Sequence, residues 1–305
     1  MTLTLRKLEY FVAAAEEGQM TGAAARIHVS QSSISIGIAE LEHDLGAQLM
    51  VRHKARGLTL TAAGYKFLPQ ARALLAQADE LTSAVRHFGQ AIGGEFTLGC
   101  FTTIAPFVLP ELLTGLSEAN PPVALKFLES SQKELQESLL DGRCELAILY
   151  ETEIMAGVDC TRLYDTVPHV IVSEEHPLAT RKSIRLDQLR GLPMIALDVH
   201  PSFTYFTGVL RGAGVEPDVQ HTTSNFEMVR SLVGRNLGYS LLIQTARMSY
   251  SYEGRPIVAL PIEDKVAPLP VVLAHASAIR QTRRAQAITA YCKEVLARDL
   301  PNASA

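Results

Sequence analysis

The sequence predicts an all-α N-terminal module built on a winged helix-turn-helix, a long linker helix, and a C-terminal α/β domain of two lobes. Three observations predict this. Between Gln19 and Glu42 two short helical patterns are interrupted by Val29 and Ser30. From Ala62 an apolar stripe runs on at helical spacing for about eight turns. From Glu95 strand-like and helix-like segments alternate. At 305 residues the chain exceeds what one core ordinarily serves. The divisions expected are residues 1–60, 61–90 and 91–305, with lobe I over about 91–165 and 267–300 and lobe II over about 166–266.

A first helix over Leu5–Glu17 presents Leu5, Leu8, Phe11, Val12 and Ala15 on one face. Thr21 is expected to cap a short Ala-rich helix. Ser30 is expected to cap the next, in which Ile34, Ile38, Leu41 and Leu45 recur at helical spacing. Two short helices joined by a tight turn, the second opened by small polar side chains, form a helix-turn-helix, which points to DNA. Gln48–Thr61 alternates around a basic tip and reads as a β-hairpin or wing, with Arg52, Lys54 and Arg56 suited to phosphate contact. A charge cluster of this kind can equally be a solvated loop; its place directly after a helix-turn-helix favours DNA.

Thr61 is expected to cap the long helix, roughly Ala62–Gln90, and Pro69 near its start could kink it. The stripe Phe67, Leu68, Ala71, Leu74, Leu75, Ala78, Leu81, Val85 and Phe88 calls for a partner surface, and a second copy of the chain is the expected one. Gly93-Gly94 would end the helix.

Beyond Glu95 the order is strand Phe96–Cys100, helix Pro106–Glu118, strand Val123–Leu128, helix Gln132–Asp141 and strand Cys144–Leu149, which implies a parallel sheet. A second series follows: Val167–Val172, a helix at Leu186–Leu189, Met194–Leu197, a helix at Phe203–Gly212, Asp218–Thr222, a helix at Phe226–Gly234, and Tyr239–Ile243. Pro270–Leu273 reads as a return strand and Gln281–Ala297 as a closing helix, with the lobe crossings near Asp165 and Ala267. Two such lobes leave a cleft at their strand ends. Four turns could line it: Thr102-Thr103, Ser130-Ser131, Ser202-Phe203-Thr204, and Ser224-Asn225-Phe226. Ser131 with Glu134, and Ser224 with Glu227, have the spacing of capping boxes, so simple caps are the competing reading. Few Lys or Arg fall in these turns, so hydroxyls and backbone amides would hold a carboxylate.

Composition sets limits. The net charge is −4 and is uneven: residues 1–88 hold nine Lys and Arg against eight Asp and Glu, leaving 19 against 24 beyond. A non-specific polyanion binder is disfavoured, and contact with nucleic acid must use local basic spots. No apolar run approaches the roughly 18–20 residues that span a bilayer, and the start lacks a signal-peptide core, so no membrane association and a cytoplasmic location are expected. Cys100, Cys144, Cys160 and Cys292 are scattered, which suggests neither a disulfide framework nor a zinc site. No cofactor is expected. The chain has no Gly-x-Ser-x-Gly elbow, Walker loop, Gly-x-Gly-x-x-Gly or His-Glu-x-x-His, so an enzyme is not expected. A transport-type solute-binding protein is opposed by the absent signal peptide and the helix-turn-helix.

Leu5–Gly64 resembles the winged helix-turn-helix of LysR-type transcriptional regulators. The shared positions include Leu8, Phe11, Ala24-Ala25, Val29-Ser30-Gln31-Ser32, Ile34-Ser35, Leu41-Glu42, Leu45-Gly46, Arg52, Leu60-Thr61 and Ala63-Gly64. The resemblance continues, more loosely, in Asp141-Gly-Arg143-Cys-Glu145-Leu-Ala-Ile148, His176-Pro177-Leu178-Ala179 and Val233-Gly-Arg-Asn-Leu237-Gly238-Tyr239. It implies a periplasmic-binding-protein-like effector domain, double-stranded promoter DNA and a small-molecule effector as partners, a homodimer or homotetramer, and RNA polymerase as a further partner. It implies DNA contacts from Thr21, Ser30, Gln31, Ser32, Ser33, Ser35, Arg52, Lys54 and Arg56. It implies effector contacts from Thr102, Thr103, Ser202 and Phe203, to which the turn reading adds Ser130, Ser131, Thr204, Asn225 and Phe226. The effector expected is an organic acid or an aromatic metabolite; the alternative is redox sensing through Cys100. One departure stands out: the family often has Arg and Gln where this chain has Ile36 and Gly37. Gly37 should cost the helix about 1 kcal/mol relative to Ala. Phosphate anchoring would then shift to the wing and to Arg6, Lys7 and Arg26, while Ile36 offers an apolar contact for a thymine methyl.

Overall fold

A computed structural model describes residues 3–53, 57–86, 94–119 and 123–298. Helix α1 (Leu5–Glu17) starts where the Thr4 hydroxyl accepts the Lys7 N–H and stops at Gly18, whose left-handed backbone returns an N–H to the Ala14 carbonyl. Because Gly18 reverses the chain there, α2 (Met20–Arg26) begins early enough to bury Met20. Gln19 therefore takes the cap position, with no side-chain bond, and Thr21 lies exposed in the first turn instead of capping it. Helix α3 (Gln31–Leu45) does start at a Ser30 cap, with the Ser33 N–H donating to its Oγ at 3.1 Å.

The wing consists of β1 (Met50–His53) and β2 (Gly57–Leu60), antiparallel from Met50 opposite Leu60 to His53 opposite Gly57. Its tip, with Lys54 and Arg56, lies outside the described residues. Two contacts fix it to the helices. The Glu42 carboxylate accepts the Leu49 and Met50 N–H groups at 2.7 and 2.9 Å. The Leu58 N–H donates to the Gly18 carbonyl at 2.7 Å. That approach explains Gly57: its φ is +74°, and a Cβ there would collide with the Gly18 oxygen.

Helix α4 (Ala62–Arg86) opens on the Thr61 hydroxyl, which accepts the Gly64 N–H at 3.0 Å, and runs on through Pro69. Residues 87–90 of the expected linker, including Phe88, lie outside the described residues. The first part of the apolar stripe packs on its own chain. Leu68 and Ala71 are buried, and the Phe67 ring lies 5.5 Å from that of Phe11. Leu74 and Leu81 remain exposed.

Gly37 lies on the buried face of α3, directly beneath the Tyr10 ring, and a Cβ there would overlap it. The ring is itself held, because Arg6 Nε donates to its hydroxyl at 2.7 Å. The glycine that looked like a loss of helix propensity is what lets α1 and α3 approach each other.

The chain continues through β3 (Gly94–Phe101), α5 (Ala105–Ala119), β4 (Val123–Ser130), α6 (Gln132–Leu140), β5 (Leu146–Tyr150) and β6 (Val158–Thr166). It then forms β7 (His169–Ser173), β8 (Pro193–Leu197), α7 (Ser202–Gly212), β9 (Asp218–Thr223), α8 (Phe226–Gly234), β10 (Ser240–Leu242) and β11 (Ile257–Pro261). It returns through β12 (Leu269–Ala276) to α9 (Arg283–Arg298). The first sheet has the order β4-β3-β5-β12-β6. Its β4-β3-β5 part is parallel, as a βαβαβ series requires, whereas β12 runs antiparallel to β5 and β6, so the sheet is mixed. In the second lobe β7 sits between β10 and β11, all antiparallel, and β8 pairs in parallel with β9. Leu186–Leu189 forms a single 3-10 turn instead of a helix.

Two outcomes test this packing. Gly37→Ala should destabilise the N-terminal module by about 1–2 kcal/mol, since forcing a methyl into the Tyr10 ring outweighs the gain in helix propensity. A raised melting temperature would refute it. His169, at the start of β7, is held neutral because burial, helped by Arg230, pushes its imidazole down to about 4. The unfolded chain, titrating near 6.5, binds that proton first. Stability should therefore be flat above pH 6.5 and fall by up to about 3 kcal/mol towards pH 4. Urea midpoints across this window should fall less steeply for His169→Gln.

Candidate nucleic-acid interface and effector cleft

Helix α3 turns Ile34, Gly37, Ile38 and Leu41 inward. At 100° per residue this leaves Ser32, Ser35, Ile36 and Ala39 on the outward side, with Gln31 at the open helix start beside Ser35. Gln31 and Ser32 are exposed at the helix start, and Ser33 and Ser35 are half-buried. Ser30 is engaged with the Ser32 and Ser33 hydroxyls at 2.8 and 2.7 Å, so its oxygen serves the helix start first. Arg52 Nη2 donates to Ser35 Oγ at 2.8 Å and ties the wing to the outward face. Its partner is a neutral hydroxyl, so the guanidinium charge stays available to a phosphate.

Two of the other expected phosphate anchors, Lys7 and Arg26, are neutralised within the chain, and Arg6 packs on a neutral ring. Lys7 pairs with Glu40 and Asp44 at 3.1 and 3.0 Å, and those bonds raise its pKa. Arg26 pairs with Glu16 and Glu17, and Arg6 stands over the Tyr10 ring. Helices α1 and α3 present the acidic partners of Arg26 and Lys7, a pairing that spacing along the chain does not reveal.

In the C-terminal domain a cleft of roughly 590 Å³ opens between the lobes. Thr102, Thr103, Phe107 and Glu129 line one side; Asn225, Phe226 and Arg230 line the other, with Met248, Tyr250 and Tyr252 at the rim. Phe107 and Phe226 meet edge to face across it, with ring centroids 5.3 Å apart. Arg230 is buried but engaged: it donates to the Glu227 carboxylate and to the Met248 and Tyr250 carbonyls, at 2.7–2.8 Å. The Glu129 carboxylate accepts the Thr102 hydroxyl at 2.6 Å.

Four of the nine expected effector residues, Thr102, Thr103, Asn225 and Phe226, thus line one space. Ser130 and Ser131 instead bond the Glu134 carboxylate, completing the capping box of α6. Ser202, Phe203 and Thr204 open α7 away from this lining, Ser202 buried and Phe203 packed on the core. Asn225 caps α8 through Oδ1, while Glu227 turns to Arg230, so the box expected from Ser224 does not form. Phe107, Glu129, Arg230 and the Met248–Tyr252 segment were not anticipated; the paired Tyr250 and Tyr252 were the available hint. Among the described residues no group of three or more His, Cys, Asp or Glu could hold a metal, and no helix is long and apolar enough to cross a membrane.

The linker helix touches both neighbours. Arg72 donates to Glu16 of α1 through Nε and Nη2 at 3.1 and 2.8 Å, and through Nη1 to the Asp141 carbonyl at the end of α6 at 2.5 Å. Further along, the Arg284 guanidinium of α9 lies 3.4 Å from Asp79, and its backbone N–H donates to Glu80 at 3.2 Å.

Two family models match these two parts of the chain: the lysR-family bacterial regulatory helix-turn-helix over residues 5–65, and the LysR substrate binding domain over residues 89–297. The chain belongs to the LysR family of transcriptional regulators. It is thus a DNA-binding regulator and not an enzyme. It is 32% identical over 245 residues to a probable hydrogen peroxide-inducible genes activator of Mycobacterium avium, covering 80% of this chain and 78% of the relative. The crystal structure of HinK, a LysR family regulator from Pseudomonas aeruginosa, matches at 32% identity and a TM-score of 0.65, over 97% of this chain and 99% of that one. A full-length OxyR variant from Pseudomonas aeruginosa matches at 26% identity and a TM-score of 0.75, over 97% and 96%.

The two candidate DNA roles separate experimentally. Gln31→Ala should relax base preference at one position, with a loss of about 1–3 kcal/mol on the preferred site. Arg52→Ala should weaken all sites and lower the salt slope by about 1. Fluorescence anisotropy over a salt series distinguishes them, and equal, sequence-independent losses would refute both assignments.

Proposed function

We infer that this LysR-family regulator is switched by a small aromatic molecule bound between its lobes. The observation that carries the reading is the Phe107–Phe226 cleft, present on the same chain as the helix-turn-helix. The joined ring pair offers an aromatic ligand an apolar wall, and Thr102, Thr103 and Asn225 offer polar ends. Of the two ligand types expected, the organic acid fits less well. The charged groups of the lining are Glu129, Glu227 and Arg230, and Arg230 is already satisfied.

A ligand that draws the lobes together moves α6 and α9. Arg72 and Arg284 tie those helices to the linker. The spacing of two N-terminal modules, and the bend they impose on promoter DNA, would change with them. The second copy would pack on an apolar groove of roughly 310 Å³ along α4, lined by Leu3, Phe67, Ala71 and Leu74 among others. Two modules related by a two-fold axis suit a pseudo-palindromic site, and the protein would work in the cytoplasm.

The relatives' names bring peroxide sensing as a second reading, for which Cys100 is the expected residue. Cys100 is fully buried on β3, and desolvation, with Glu129 adding to it, pushes its thiol far up. A thiol sensor needs an accessible thiolate, so these surroundings speak against it.

A thermal-shift screen of small aromatic metabolites on the full chain should find a stabilising ligand that alters the DNase footprint on promoter DNA. Phe226→Ala should abolish the shift. Peroxide should leave the footprint unchanged in both wild type and Cys100→Ser. A peroxide-dependent footprint lost in Cys100→Ser would overturn the aromatic-effector reading in favour of redox control.

A further inference from the structure

The outward face of α3 changes character within one turn. Its start is polar, with Gln31 and Ser32 exposed. Next comes Ser35, whose hydroxyl is occupied by Arg52. Beyond it stand Ile36, 59% exposed, and Ala39, also exposed. Ile36 is the one large apolar side chain of α3 left largely in water, since Ile34, Ile38 and Leu41 are all buried. Nothing among the described residues covers it.

The orientation is fixed. Gly37, the next residue, is pinned beneath the Tyr10 ring, so α3 cannot roll to hide Ile36. Arg52 holds the adjoining Ser35 from the wing side. Ile36 therefore projects from the same face as Ser32, one turn on from the exposed helix start at Gln31, and this is the part of a helix-turn-helix that enters the major groove. In that groove the apolar group a duplex presents is the thymine 5-methyl; adenine, guanine and cytosine show donors and acceptors there. An isoleucine makes no hydrogen bond to those, and burying their polar edges against it is unfavourable.

We propose that Ile36 is a specificity-determining residue that packs on a thymine methyl in each half-site, with Ala39 beside it giving the base edge room to approach. Sequence is then read by two chemistries on one helix: hydrogen bonding from Gln31 and methyl packing from Ile36. The inference goes beyond the family assignment, which supplies a DNA-binding helix but not what this residue reads.

The test uses full-length protein and duplexes enriched from a random-sequence pool. Each enriched thymine is replaced in turn by uracil, which removes only the 5-methyl. Wild type should lose about fourfold in affinity at one thymine per half-site, the worth of one buried methyl. Ile36→Val should keep that discrimination, and Ile36→Ala should bind the thymine and uracil duplexes alike. Ile36 is exposed and Ala is the better helix former, so folding of that variant is not at risk. Equal wild-type affinity for thymine and uracil at every position, or unchanged discrimination in Ile36→Ala, would overturn the methyl contact while leaving DNA binding intact. Failure to enrich any sequence would overturn base reading by this helix as a whole.

Discussion

One guanidinium, that of Arg72, joins three parts of the molecule that share no sheet. It donates to Glu16 at the end of α1 and to the last free carbonyl region of α6, from a position on the linker helix. Glu16 in turn holds Arg26 of α2. A continuous chain of charge-assisted bonds thus runs from the helix before the recognition helix to the floor of the first lobe. Gly142 sits against the Arg72 side chain in a left-handed conformation, so the α6 end is shaped to receive it. The Asp141 carbonyl can accept because α6 stops there and leaves its last carbonyls without partners inside the helix. With the Arg284 contacts to Asp79 and Glu80 this gives the linker two ties to the first lobe, and a shift of α6 must either move the linker or break a part-buried bond.

The distribution of paired and unpaired charge separates the two ends of the protein. Among the described residues of the N-terminal module Lys7 and Arg26 are neutralised by carboxylates, whereas Arg52 meets only a hydroxyl and keeps its charge at the wing. In the cleft the same economy makes Arg230 a structural tie for the Met248–Tyr252 segment. That segment places Tyr250 and Tyr252 at the rim, and Glu227 fixes it further by accepting the Tyr252 N–H at 2.6 Å. A buried cation in a ligand cleft invites the assignment of an anion; its bonds here show that two backbone carbonyls and a carboxylate already fill the role.

Local chemistry was legible in the sequence. The Ser30, Thr61 and Ser131 caps, the helical spacing of Ile34, Ile38 and Leu41, and the βαβαβ order all rest on contacts within a few residues. What failed depended on a competing turn or cap close by, or on distant partners. Thr21 was displaced from its cap by the turn at Gly18. Asn225, one residue after the expected serine, took the α8 cap because Glu227 was drawn to Arg230. Strand β6 has no clean alternation; β12 supplies its hydrogen bonds along its length, from Thr166 to Val158. Strand β11 is a short segment defined by pairing with β7. Lys7, Arg6 and Arg26 looked free because their partners lie on neighbouring helices or one turn away on their own. The reading of Gly37 changed most: propensity alone marks it as a weakness, and the Tyr10 ring shows it to be a requirement of helix approach.

The bond from Leu58 to Gly18, through the space left by the missing Gly57 side chain, has a consequence for how operators can vary. With Glu42 and Arg52 it welds the hairpin and the recognition helix into one gauge of fixed width. If Arg52 grips a phosphate and α3 reads bases, as proposed, the distance between those two contacts cannot stretch to suit a different half-site. Any mismatch between that gauge and a given duplex must be absorbed by the DNA itself, through groove width and local twist. Flexible steps flanking the half-site should then matter to affinity even where no side chain reaches them.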